Sequence, residues 1–206
     1  MKTLFSGVAA GFMVGIGGAV YLSCDNKYVG AVLFSVALLA ICYLGFALFT
    51  GKAGFIVPQH KKKDVSDLLL SLPGNLIGAF LCAKAAAFAA PALVEKAFAA
   101  CQARLLQTAP QTFFKGLLCG VLMYIAVAVF RKCKSPLGVL FCIPVFILCG
   151  FEHSIADMFY FALSGIVSLD AFIFIWIVII GNFVGAAAIA FLDNITVTPH
   201  KGGEAE

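Results

Sequence analysis

Charge is scarce in this sequence. Only 12% of its 206 residues are Asp, Glu, Lys or Arg and 63% are hydrophobic, against about 25% charged and about 45–50% apolar in a soluble domain. No water-soluble fold hides that much apolar surface, so a soluble class is excluded. Metal-binding and redox patterns are lacking as well. The eight cysteines never form a Cys-x-x-Cys pair and mostly lie inside apolar runs, where they read as small buried hydrophobes. Of three histidines only His153 falls in apolar sequence, with no metal-ligand spacing around it. No cofactor is expected. Apart from Ser154, no nucleophile stands beside a base, which argues against a membrane enzyme built on Glu152 and His153. The formal charge of +4 is explained by membrane topology and contact with anionic lipid, without a nucleic-acid partner.

What is abundant is long uncharged sequence. Six runs stand out: Leu4 to Leu22, Tyr28 to Gly51, Leu68 to Ala83, Gly116 to Phe130, Ser135 to Phe151 and Ala171 to Leu192. A crossing of the hydrocarbon core takes roughly 17–25 residues, so the shorter runs must recruit their flanks. The first run follows Lys2 in the manner of a signal peptide, but five further runs favour a retained helix. With the N-terminus cytoplasmic, Lys52, Lys61, Lys62, Lys63, Arg131, Lys132 and Lys134 fall inside, as the positive-inside rule requires. Lys27, Lys84, Lys96, Arg104 and Lys115 then fall outside. A multi-pass plasma-membrane protein with both termini cytoplasmic is expected, with residues 196–206 as a short tail.

The chain matches itself at an offset of about 107–109 residues. Leu4-Phe5-Ser6-Gly7-Val8-Ala9-Ala10-Gly11 recurs as Phe113-Phe114-Lys115-Gly116-Leu117-Leu118-Cys119-Gly120, and Gly74-Asn75-Leu76-Ile77-Gly78-Ala79 as Gly181-Asn182-Phe183-Val184-Gly185-Ala186. Three crossings per half turn the second copy upside down, the inverted-repeat plan of many transporters. The expected fold is therefore all-α and integral to the membrane: one domain over residues 1–206, with inverted three-helix repeats over about 1–95 and 105–195. Small residues four apart let backbones approach, which makes packing the leading role of these motifs. Asn75 and Asn182 then serve as interhelical hydrogen bonders.

Spans two and five are expected to be broken. The second run ends in Gly45-Phe46-Ala47-Leu48-Phe49-Thr50-Gly51; the fifth continues into Gly150-Phe151-Glu152-His153-Ser154-Ile155-Ala156-Asp157-Met158-Phe159. Irregular backbone at membrane depth is tolerated only where protein buries it or it lines a cavity, so paired breaks point to a pore between the halves. An ionisable residue there is a functional candidate by default, and imidazole both donates and accepts protons near neutrality. The competing reading of His153 is a histidine satisfied in helix packing. Thr50 stands at the corresponding break of the other half. Glu152 reads as structural support.

These motifs resemble the formate/nitrite transporter family over almost the whole chain. Gly150 to Phe159 is similar to the family's Gly-Phe-Glu-His-Ser-x-Ala-Asn-Met-Phe, Leu48-Phe49-Thr50 to its second-span loop, and Gly74-Asn75 and Gly181-Asn182 to its third and sixth spans. The resemblance implies an aquaporin-like fold, a homopentamer, and passage of a small monovalent weak-acid anion (formate, nitrite, hydrosulfide or similar) or its conjugate acid. It also implies Thr50 and His153 as the central polar pair, with transient protonation at the histidine. Phe34, Leu38, Leu48, Phe49 and Phe146 are the implied constriction residues. Arg104 takes the place of an outer lysine that attracts anions, and Gly120 that of an asparagine sixteen positions later. Ala47 replaces an acidic residue and Asp157 an asparagine. The chain starts almost at its first span, without the N-terminal amphipathic segment of the family pattern, so the resemblance carries no expectation about gating. A neutral-solute pore, like an aquaporin or ammonia channel, is the alternative.

Overall fold

The computed structural model describes residues 1–57 and 61–196; the expected tail, past Thr196, lies outside them. Among the described residues there is no strand. The helices are α1 (Lys2–Ser23), α2 (Lys27–Leu44), α3 (Phe49–Lys52), α4 (Lys62–Ala89), α5 (Ala92–Leu105), α6 (Ala109–Cys133), α7 (Leu137–Leu148), α8 (Ser154–Ser164) and α9 (Leu169–Thr196), with a 3-10 turn over Ala53–Ile56. Five of them, α1, α2, α4, α6 and α9, are long and apolar enough to cross a membrane. Two departures from the sequence reading follow. The third run grows into a 28-residue helix reaching from Lys62 to Ala89, and α5, which the sequence reading does not place, fills the connection to the second half.

Helix starts follow local chemistry. Asn26 accepts hydrogen bonds from the Tyr28 and Val29 backbone N–H groups to open α2, and a Thr108–Gln111 capping box with Pro110 behind it opens α6. Large apolar side chains such as Val32, Leu33 and Val36 of α2, Leu76 and Phe80 of α4, and Phe172 and Trp176 of α9 point outward. The inward face of α1 is made instead of small residues: Gly7, Ala10, Gly11, Gly15, Gly17 and Gly18 are all buried there. Large apolar side chains on the outside and small residues where helices approach closely are the arrangement expected where lipid replaces water.

The closest helix approaches recur in both halves. On Gly11 of α1 a methyl group would sit on the Asn75 carbonyl of α4, and on Gly120 of α6 it would sit on the Asn182 carbonyl of α9. Gly78 against Val8 and Gly185 against Leu117 repeat the relation in reverse. The repeated small residues thus set the α1–α4 and α6–α9 spacing. Gly120 has no room for the asparagine of the family pattern.

Each half also carries a break of the same design. Helix α2 ends at Gly45 with φ 72°, α7 runs out just before Gly150 with φ 67°, and this left-handed conformation suits glycine alone without strain. The following N–H turns back in both cases, from Phe46 to the Ile41 carbonyl at 3.0 Å and from Phe151 to the Phe146 carbonyl at 2.9 Å, a Schellman-type stop. The extended residues that follow are held by a buried asparagine. Asn75 accepts the Phe49 N–H and donates to the carbonyls of Ala47 and Gly7. Asn182 accepts the Ser154 N–H and donates to the carbonyls of Glu152 and Gly116. One side chain in each half satisfies the groups that the interrupted helix leaves bare, as a buried backbone demands.

Candidate functional site

The two breaks meet. Thr50 Oγ1 and His153 Nε2 lie 2.8 Å apart, 103 residues apart in sequence, and both side chains are buried. His153 is also the N-cap of α8: its Nδ1 accepts the Ala156 backbone N–H at 3.2 Å. A backbone N–H only donates, so the single proton of a neutral ring resides on Nε2 and is donated to Thr50. The threonine hydroxyl, already accepting from the ring, keeps its own hydrogen for a further acceptor. Phe146 stacks on the imidazole with centroids 5.8 Å apart, and Phe34 meets Phe146 edge-on at 6.3 Å.

A cavity opens on either side of this centre. One, of about 360 Å³, is lined by Phe34, Phe146, His153, Glu152, Asp157, Arg104 and Lys115 among others. The other, of about 250 Å³, is lined by Leu38, Leu48, Gly51, Lys52, Arg131 and Lys134 among others. Of the five residues expected at constrictions, Phe34 and Phe146 line the first cavity and Leu38 and Leu48 the second. Phe49 is buried and lines neither. Its backbone N–H, bonded to Asn75, is what positions the break.

The two cavities differ in charge. Lys52, Arg131 and Lys134 line the second with no carboxylate among its lining residues; Arg131 lies 3.7 Å from the centroid of the Phe55 ring. In the first, Arg104 does not present a bare cation. Its Nε donates to Glu152 Oε2 at 3.0 Å and to Asp157 Oδ1 at 3.1 Å, its Nη1 donates to the Ala100 carbonyl, and its guanidinium lies 4.9 Å from the Tyr160 ring centroid. Gln107 donates to Glu152 Oε1 at 2.7 Å. Asp157, read from sequence only as a departure from the family pattern, and Gln107, not singled out at all, are thus part of the site. The i to i+3 spacing of Arg104 and Gln107 near the end of α5 is the signal that could have found the latter. No group of three or more potential metal ligands occurs among the described residues.

A helical bundle in which two helix breaks join a hydroxyl to an imidazole between opposed polar cavities defines a multi-pass membrane transport protein. The sequence profile described as Formate/nitrite transporter matches residues 1–195, and the chain belongs to that family. It is 30% identical over 188 residues to the "Uncharacterized transporter YwcJ" of Bacillus subtilis, covering 80% of this chain and 73% of that protein. It is 31% identical over 179 residues to the "Nitrite transporter NirC" of Salmonella typhimurium, covering 77% and 66%. Among solved structures it shares the fold of an "FNT family ion channel", with a TM-score of 0.81 over 96% of this chain and 88% of that one at 23% identity. The "Pentameric formate channel with formate bound" gives 0.76 over 93% and 94%, again at 23% identity.

Proposed function

We propose that the protein is a channel for small monovalent weak-acid anions such as formate, nitrite or hydrosulfide, which cross its centre as the conjugate acid. The observation that carries this reading is the Thr50–His153 hydrogen bond, set between two charged cavities and flanked by apolar side chains. A bare carboxylate-sized ion moved into a medium of dielectric about 4 loses on the order of 20 kcal/mol of solvation before relaxation. A single hydroxyl and a neutral imidazole do not restore that. A neutral acid avoids most of it and still needs one hydrogen-bond donor and one acceptor, which the hydroxyl supplies.

The same reading gives six crossings as two inverted three-span repeats. The crossing not made by one of the five long helices, fifth in chain order, is α7 and α8 taken together, 12 and 11 residues on either side of the break. With Lys52, Arg131 and Lys134 cytoplasmic, the Arg104 cavity faces outward and both termini lie inside the plasma membrane's cytoplasmic face. The assembly is a homopentamer like the formate-bound structural neighbour. The cationic inner cavity collects anions; Arg104, with two carboxylates on it, adds attraction only together with Lys115. Transient protonation at His153 requires a second proton on Nδ1 and hence release of the Ala156 N–H.

Stopped-flow uptake into proteoliposomes across a panel of weak acids at two pH values tests the assignment. The expected result is uptake that rises as pH falls and collapses for His153→Phe at equal incorporation. Uptake of uncharged solutes alone, indifferent to the acid gradient, establishes the neutral-solute pore instead; no uptake of any kind overturns both.

A further inference from the structure

The Arg104 cluster holds one more carboxylate than it has cation for. Glu152 and Asp157 place an oxygen each on the same Nε–H group of Arg104, at 3.0 and 3.1 Å. One hydrogen is therefore shared between two acceptors instead of the two-armed grip a guanidinium offers a single carboxylate. Both carboxylates are at most 5% exposed in their side chains, and like charges so placed cannot both ionise without large cost. Asp157 Oδ2 is buried with no hydrogen-bond partner among the described residues, although Asp157 lines the 360 Å³ cavity.

The groups around the pair leave its charge uncompensated. From α5 come Arg104 and the thiol of Cys101, and from α8 Tyr160, whose ring lies under the guanidinium. From α1 comes Tyr21 and from α6 Lys115, both on the cavity wall, with the buried thiol of Cys119 behind. His153, at the break, has both nitrogens committed. Lys115 is half-buried, and its side chain makes no ion pair among the described residues, so it neutralises neither carboxyl directly. The buried balance is one cation against two carboxyls.

We infer that Glu152 and Asp157 share one proton, carried on the unpartnered Asp157 oxygen, and that this pair is the proton donor to an anion in the outer cavity. The inference rests on the weak-acid channel reading. In the transfer the O–H bond of the carboxyl breaks and an O–H bond forms on the anion; the pair is left with two negative charges against Arg104, and the neutral acid moves on past Phe34 and Phe146 to Thr50. Water of the outer cavity then returns a proton to the pair. His153 serves as a hydrogen-bond donor throughout: losing its one ring proton leaves an imidazolate, and gaining a second breaks the α8 cap.

Infrared spectroscopy of the reconstituted protein and proteoliposome flux test this separately. Wild type at neutral pH is expected to show the carbonyl band of a protonated carboxyl group that shifts in deuterated water. Asp157→Asn and Glu152→Gln are both expected to abolish it, because either change leaves a single carboxylate facing Arg104. In flux, Asp157→Asn is expected to lose about a hundredfold in formate uptake at neutral outside pH, the low end of what a positioned proton donor contributes, and to recover in acid, where the free acid is already present. Absence of the band in wild type, or a wild-type pH profile in Asp157→Asn, overturns the inference. A band that survives Glu152→Gln overturns sharing. If wild type takes up no weak acid at all, the channel reading fails while the infrared result still decides the state of the pair.

Discussion

Replacing Asn182 with alanine tests how the pore centre is held. The side chain is fully buried and makes three hydrogen bonds, accepting from the Ser154 N–H at 2.9 Å and donating to the carbonyls of Gly116 at 2.8 Å and Glu152 at 2.9 Å. The Gly116 carbonyl lies within α6 and keeps its helical partner. The Ser154 N–H and the Glu152 carbonyl lie at the break and have no such substitute. Each buried polar group left without a partner costs about 1–3 kcal/mol, so the variant is expected to lose about 2–6 kcal/mol. The loss falls on the two peptide units that flank His153, so flux and its pH dependence degrade along with stability. Asn75→Ala orphans the Phe49 N–H and the Ala47 carbonyl in the same way. The two variants are therefore expected to lower the thermal midpoint in detergent by similar amounts, read by fluorescence-detected size exclusion, and both to impair uptake. If either variant unfolds at the wild-type temperature and conducts at the wild-type rate, the asparagines do not hold the breaks and the argument from the paired design is wrong.

Thr50→Val removes the hydroxyl at nearly constant volume and leaves the His153 Nε2–H without its acceptor, costing about 1–3 kcal/mol and most of the formate uptake, whereas Thr50→Ser retains uptake; equal flux in the two variants refutes the hydroxyl's role. Gly120→Ala and Gly11→Ala drive a methyl group into the Asn182 and Asn75 carbonyls and are expected to destabilise by about 1–3 kcal/mol or more, measured as loss of the intact detergent-solubilised species on heating. Arg104→Ala strands two buried carboxyls and is expected to cost about 3–5 kcal/mol, with Arg104→Lys milder; a thermal midpoint unchanged in Arg104→Ala refutes the ion-pair assignment. Replacing Lys52 and Lys134 together by serine is expected to slow efflux of anion from the inner face at low salt and to matter little at high salt, where exposed charges are screened; salt-independent loss refutes collection by that cavity.

The sequence by itself determined the solvent and most of the plan. Long uncharged runs permit only a membrane setting, because each charge omitted is one fewer group for water to hold. The recurrence of Gly74-Asn75 as Gly181-Asn182 marked the tightest packing, since a glycine beside a neighbouring backbone admits no side chain and the residue type records the distance. Thr50 and His153 were legible as a pair for the same reason: polar groups are so costly in apolar sequence that two at matching places in a repeat identify each other.

Only the tertiary structure decided what surrounds them. Arg104 reads in sequence as a lone cation on the approach to the pore, and nothing along the chain ties it to residues 152 and 157; folding α5 against α8 gives it two carboxylates on one nitrogen. Phe49, adjacent to Leu48 and Thr50, reads as a pore residue. In the fold it is buried and lines neither cavity, while its backbone N–H bonds Asn75, a partner that sequence adjacency does not reveal. Charge and apolarity are properties of residues and can be counted along a chain. Compensation of a charge, and the side of a pore that a ring faces, belong to pairs of residues brought together from distant positions, and no local pattern carries them.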